Sequence, residues 1–185
     1  MRVIAGKAGG RILKTPKKSL KLRPLTDRAR GALFNILVNE VGESDFLDLF
    51  AGTGAVGIEA LSRGARLAIF VELDRTSVSL IRENLELTGF TDRGEVYGID
   101  VLRAIPILSA KGAAFDLIYL GAPYGSPALG QALEKLAESK LLRPNGTLIA
   151  EHRKQDALAE VIGKFVRVRE AKYGETVLAF YKIKP

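Results

Sequence analysis

Phe46-Leu47-Asp48-Leu49-Phe50-Ala51-Gly52-Thr53-Gly54-Ala55-Val56-Gly57 is an apolar run that meets a carboxylate, crosses a glycine turn and opens a helix. A second apolar run, Leu67 to Val71, ends on Glu72, eighteen residues after Gly54. This pattern reads as a nucleoside-binding α/β sheet. Glycines let the backbone approach a ligand, and an acid at the end of the next strand takes ribose hydroxyls. Gly52, Gly54 and Gly57 also spell the dinucleotide fingerprint, so the class of ligand has to be argued from the residues around them.

Asp48 decides that argument. A pyrophosphate sits on the amides of a helix N-terminus, and a carboxylate just ahead of the turn repels it at short range. S-adenosylmethionine carries the same adenosine without phosphate, and its ammonium and sulfonium are attracted by an acid. Asp favours turn positions for local reasons as well. Asp100, however, follows a third short apolar stretch, Val96-Tyr97-Gly98-Ile99, where a carboxylate can accept from an adenine amino group. Three acids closing three successive strands point to a cofactor pocket.

Around this core, strand and helix patterns alternate. Strands are expected at Asp45–Phe50, Leu67–Glu72, Glu95–Ile99, Phe115–Leu120 and Thr147–Glu151, with two late runs at Phe165–Ala171 and Thr176–Lys182. Helices are expected from Thr26 or Asp27 to about Glu40, then at Val56–Arg63, Arg75–Thr88, Val101–Leu108, Ser126–Ser139 and Gln155–Gly163. Such spacing implies right-handed crossovers and a parallel sheet, closed by an antiparallel hairpin across Tyr173-Gly174-Glu175. Leu142 to Gly146 reads as a turn. Asp48, Glu72, Asp100 and the segment after Leu120 all fall at the carboxyl edge of the sheet, where ligands of such folds bind.

The 185 residues suffice for one domain with a small appendage, and 47% hydrophobic residues supply a core. With no cysteine, disulfides and thiolate chemistry are excluded, and the single histidine, His152, excludes a multi-histidine metal site. No metal is expected. There is no apolar run of spanning length and no signal-peptide pattern, so a cytoplasmic protein without a membrane partner is expected.

Charge is unevenly placed. Residues 1–30 hold ten basic residues and one acid, so the other 155 residues of this +7 chain sum to −2. Val3-Ile4-Ala5 and Arg11-Ile12-Leu13 flank a turn at Ala8-Gly9-Gly10, which reads as a basic β-hairpin. Residues 14–24 read as an extended linker. Arg2, Lys7, Arg11, Lys14, Lys17, Lys18, Lys21 and Arg23 are candidate phosphate contacts, and the lack of aromatics there favours backbone contacts over base stacking. The domain reading is an arm over residues 1–24 and a catalytic domain over residues 25–185.

Arg23-Pro24-Leu25-Thr26-Asp27-Arg28-Ala29-Arg30 with Ala32-Leu33-Phe34-Asn35-Ile36-Leu37 resembles the opening of the bacterial RsmD-type 16S rRNA guanine-N2 methyltransferases. The Asp48–Gly57 loop, Glu59 to Ala65, Phe70 to Arg75, the Met1 to Lys7 start, Gly10-Arg11 and Glu151-His152 carry the same resemblance. It implies a Rossmann-like class I methyltransferase with a seven-stranded, mostly parallel sheet. It also implies S-adenosyl-L-methionine as cofactor and 16S rRNA of the small subunit as substrate; a monomer is expected. Carried over, Asp48, Phe50, Ala51, Gly52 and Gly54 face the methionine part, and Thr26 contacts its carboxylate. Glu72 holds the ribose, Leu73 meets the adenine face, and Asp100 and Val101 meet the adenine edge.

One motif departs from the family. Its signature after the fourth strand is Asp-Pro-Pro-Tyr, and this chain reads Gly121-Ala122-Pro123-Tyr124. An exocyclic amine is a poor nucleophile, and a side-chain oxygen with a backbone carbonyl normally accepts its two hydrogens. Here Gly121 offers only the carbonyl, while Pro123 and Tyr124 remain to shape the pocket and stack the flipped base. Removing such an acceptor costs on the order of a hundredfold in rate. Glu151, which ends the fifth strand on the same rim, is a candidate substitute for that acid. The alternatives are a cofactor- and rRNA-binding protein with impaired turnover, or an N6-adenine nucleic-acid methyltransferase.

Overall fold

The computed structural model describes residues 1–16 and 25–184. Helix α1 (Asp27–Ile36) starts where the Thr26 side chain accepts the Ala29 N–H at 3.2 Å. Strand β1 (Asp45–Leu49) leads through the glycine turn into α2 (Ala55–Ser62). Then follow β2 (Leu67–Val71), α3 (Arg75–Thr88), β3 (Gly94–Tyr97), α4 (Val101–Ala110), β4 (Phe115–Leu120) and α5 (Ala128–Glu138). Strands β5 (Leu142–Arg153), β6 (Val161–Ile162), β7 (Phe165–Tyr173) and β8 (Thr176–Ile183) complete the chain.

The eight strands form one sheet in the order β3-β2-β1-β4-β5-β8-β7-β6. The first five pair in parallel, and β8, β7 and β6 add antiparallel strands. Order reverses between β1 and β4, which makes their carboxyl ends the switch point where ligands bind. One core packs α1, α2, α3 and the N-terminal segment on one face around Phe34, Phe46 and Phe70. The other packs α4 and α5 around Leu49, Ile118 and Leu133.

The expected α/β architecture holds, with four differences. The sheet has an eighth, two-residue strand, β6. Helix α1 stops at Ile36, and turns carry the chain on to Val41, leaving Val38 exposed. Leu142–Gly146 belongs to β5, looped out as a bulge between the Phe115–Leu142 and Leu117–Thr147 pairs. The expected helix over Gln155–Gly163 does not form. Its carbonyls are taken by tertiary donors instead: Arg167 Nη1 on Leu158, the Tyr181 hydroxyl on Ala159, and the Arg167 amide on Glu160.

The N-terminal segment is a hairpin reduced to one bridge, Arg2 with Ile12, but it is firmly attached. Val3, Ala8 and Leu13 are buried in the core shared with α1 and α2. Glu59 of α2 accepts the Ile4 and Ala5 N–H groups at 2.7 and 3.1 Å, and Ser62 accepts from Ala8 at 3.0 Å. Asn84 of α3 accepts from the Lys14 amide at 2.7 Å and donates to the Lys14 and Thr53 carbonyls.

Candidate active site

The glycine turn is built by backbone geometry. Gly52 and Gly54 have φ of 56° and 77°, the left-handed region that favours glycine. Phe50 sits at φ 62° without that freedom, a strained position at the exit of β1. Gly57 serves packing: a Cβ there would lie 2.3 Å from the Phe70 ring, so α2 lies close on β2 only because the side chain is absent.

Asp48, in β1 just ahead of this turn, is 1% exposed. Its Oδ2 accepts the Gly57 N–H at 2.9 Å, so a carboxylate already occupies the N-terminal end of α2. Its Oδ1 is buried and has no hydrogen-bond partner among the described residues. Burial, opposed by the Gly57 bond and reinforced by Glu72 and Glu151, pushes its pKa up to about 7. A phosphate would face this anion, whereas a cationic group would relieve both the orphaned oxygen and the buried charge.

Glu72 is held by two backbone amides, Gly52 at 2.8 Å and Asp74 at 2.9 Å. The acid of β2 thereby fixes the loop after β1. Asp100 caps α4 through the Leu102 N–H at 2.8 Å. Leu73 is 63% exposed, an apolar side chain left open beside Glu72. Val101 is buried in the α4 core, so any contact it makes to a ligand is through its backbone. Thr26 is engaged as the α1 cap. Ala51 donates its N–H to the Val71 carbonyl at 3.0 Å, stitching the turn to β2.

The motif after β4 lies next to this turn, since the Gly121 N–H donates to the Leu49 carbonyl at 3.1 Å. A cavity of about 380 Å³ opens there, bounded by Ala122 to Pro127 and by Glu151, His152 and Leu158. Glu151 lies at its wall, accepting hydrogen bonds from the Tyr119 hydroxyl and from Tyr124, the latter at 2.6 Å. Burial raises its pKa, and the two tyrosine hydroxyls work against that rise. Tyr124 also shares a 3.0 Å hydrogen bond with Thr176, and the Arg153 guanidinium stands 5.0 Å over its ring. His152 is buried, with Nδ1 2.8 Å from the Arg153 carbonyl.

Tyr119, Thr176 and Arg153 are the site residues that the sequence pattern did not disclose. They belong to three different strands and share no motif. The one available signal was that Tyr119 stands two residues before Gly121. Of the basic residues, Arg2, Lys7, Arg11 and Lys14 are exposed, but Arg11 donates to the Leu87 carbonyl and Lys14 pairs with Glu83 at 2.6 Å. Lys17, Lys18, Lys21 and Arg23 lie outside the described residues.

The family model "Conserved hypothetical protein 95" matches residues 1–182. The chain belongs to this family, the RsmD-type methyltransferases. It is 36% identical over 182 residues to "Putative rRNA methyltransferase YlbH" of Bacillus subtilis, covering 98% of both chains. It is 35% identical over 162 residues to ribosomal RNA small subunit methyltransferase D of Haemophilus influenzae, covering 85% of this chain and 81% of that one. Among solved structures, "Putative methyltransferase yhhF" from Escherichia coli superposes with a TM-score of 0.85 at 30% identity, covering 100% of this chain and 98% of the other.

Proposed function

We propose that this RsmD-type chain methylates the exocyclic N2 of a guanine in 16S rRNA, acting on the small ribosomal subunit as a cytoplasmic monomer. S-adenosylmethionine-dependent rRNA methylation is the activity of its family. The observation that carries the cofactor reading is Asp48, a buried carboxylate at the α2 N-terminus with one oxygen unpartnered among the described residues. That donor set fits a cation and rejects a diphosphate.

When bound, S-adenosylmethionine supplies an electrophilic methyl on a sulfonium. Asp48 and the Phe50–Gly54 turn would hold its methionine end, Glu72 the ribose, and Leu73, Asp100 and Val101 the adenine. Thr26, of the Arg23–Arg28 segment, would contact the carboxylate. The cavity beside Tyr124 would receive the flipped guanine. Gly121 would accept one amine hydrogen through its carbonyl, with Pro123 and Tyr124 shaping the pocket. Transfer would form the N–C bond as the methyl's bond to sulfur breaks with its electron pair left on sulfur, and the amine would surrender one proton to solvent or to an acceptor at the cavity wall. Residues 1–24 would act as the arm that grips rRNA phosphates, and residues 25–185 as the catalytic domain.

Methyl transfer to unmodified small subunits tests this reading, using this chain beside a Gly121→Asp, Ala122→Pro version. Transfer by both makes the carboxylate dispensable. Transfer only by the second makes this chain a cofactor- and rRNA-binding protein. Transfer by neither removes the reading. The restored version meets one steric constraint: a Cβ at 121 lies 3.0 Å from Cε1 of Tyr119, so that ring must give slightly.

A further inference from the structure

We infer that Glu151 is the positioning residue of the acceptor site, clamping Tyr124 against the sheet in a loop that Gly121 and Ala122 leave with less stiffening than the family motif. This rests on the methyl-transfer reading above. The loop from 121 to 127 contains two glycines, Gly125 at φ 72°, and alanine stands where the family has its first proline. Within it, Pro123 and the Ser126 N–H bond to the Pro123 carbonyl at 3.2 Å brace the turn, and the Tyr124 side chain is held from outside.

That hold comes from three strands. Tyr119 of β4 pairs with Ile149 of β5, so Glu151 projects from the same face one pleat further on. Arg153, the next residue of β5 on that face, pairs with Thr176 of β8. These four side chains surround one hydroxyl and one ring. Glu151 Oε1 and Thr176 Oγ1 meet the Tyr124 hydroxyl at 2.6 and 3.0 Å. Tyr119 fills Oε2, and the Arg153 guanidinium stands over the Tyr124 ring.

The chemistry suits a carboxylate. Each of its two oxygens accepts the O–H of one phenol, and charge-assisted bonds of this type are about twice as strong as neutral ones. Packing alone does not explain the arrangement. Glu151 is 5% exposed, and phenylalanines around an apolar side chain would fill the same space without burying a charge. The bonds fix an aromatic ring at the wall of the acceptor cavity, and alignment is the main demand of methyl transfer. A displacement of about 1 Å at a reacting centre can cost roughly a hundredfold.

Two readouts test the clamp in the full chain. The first is ring-13C tyrosine NMR, with the Tyr124 signal identified by Tyr124→Phe. The second is single-turnover methyl transfer at saturating small subunits, with S-adenosylmethionine affinity measured by calorimetry. Glu151→Gln, close in volume, is expected to broaden or split the Tyr124 signal and slow transfer by roughly tenfold or more. Cofactor affinity should stay within about twofold, and Glu151→Gln should add little to the loss already caused by Tyr124→Phe. Tyr119→Phe, which keeps the core filled, should give a smaller effect of the same kind. An unchanged Tyr124 signal, an unchanged rate in an active chain, or losses that multiply would overturn the inference. A wild-type chain that transfers no methyl, while Glu151→Gln still frees the Tyr124 ring, removes the methyl-transfer reading and leaves the clamp standing.

Discussion

Asp48 is the residue on which cofactor chemistry and folding energetics meet. Its pKa of about 7 in the folded chain exceeds the ordinary 3.8, so between those values the native state holds a proton that the unfolded state has released. Stability from this group is therefore present at low pH and is lost as pH rises from about 4 to about 7. Asp48→Asn is expected to raise the melting temperature of the cofactor-free chain, more at pH 8 than at pH 5. A cation binds the ionised form, so S-adenosylmethionine affinity should rise with pH to about 7 and then level off. Calorimetry in buffers of different ionisation enthalpy should register proton release below that pH, and Asp48→Asn should abolish it. Glu72 works differently. Glu72→Ala removes a ribose acceptor and also frees the Gly52 and Asp74 amides, so binding should collapse; unaffected binding would remove Glu72 from the pocket.

Elements whose pattern is local were legible from the sequence. β1, β2 and β4 are apolar runs bounded by turns, and α3 is capped at both ends, by Asp74 and by left-handed Gly89. The segment after β5 misled because Gln155 to Glu160 has helix-forming composition, while its outcome is set by Arg167 and Tyr181 of β7 and β8. The same limit applies to the site. Asp48 near the end of β1, Glu72 just after β2 and Asp100 at the start of α4 each stand beside an element boundary and could be read one at a time. The Tyr119–Glu151–Tyr124–Thr176 cluster depends on strand order, which no local pattern encodes. At this scale Gly57 gives a sharp test. Gly57→Ala drives a methyl into Phe70 and should cost about 1–3 kcal/mol in urea denaturation, partly recovered by Phe70→Leu.

Across the whole molecule, charge and packing are bound together in the first sixteen residues. Deleting residues 1–21 would weaken RNA binding, but it would also strip Val3, Ala8 and Leu13 from the core. Charge reversal is the cleaner probe. Lys7→Glu with Arg2→Glu should leave folding intact and weaken small-subunit affinity, with a shallower dependence on salt. For every phosphate no longer neutralised, the log–log slope should fall by roughly 0.7–0.9. An unchanged slope would place the RNA elsewhere.

The partners of the N-terminal segment also set an order on its folding. Ile4, Ala8 and Lys14 bind through their backbone to Glu59, Ser62 and Asn84, which stand 55, 54 and 70 residues later in the chain. During synthesis residues 4–14 therefore find nothing to dock on until α2 and α3 have followed them. For that interval the nascent chain carries an open basic segment, which can close only once residues 59–84 are in place.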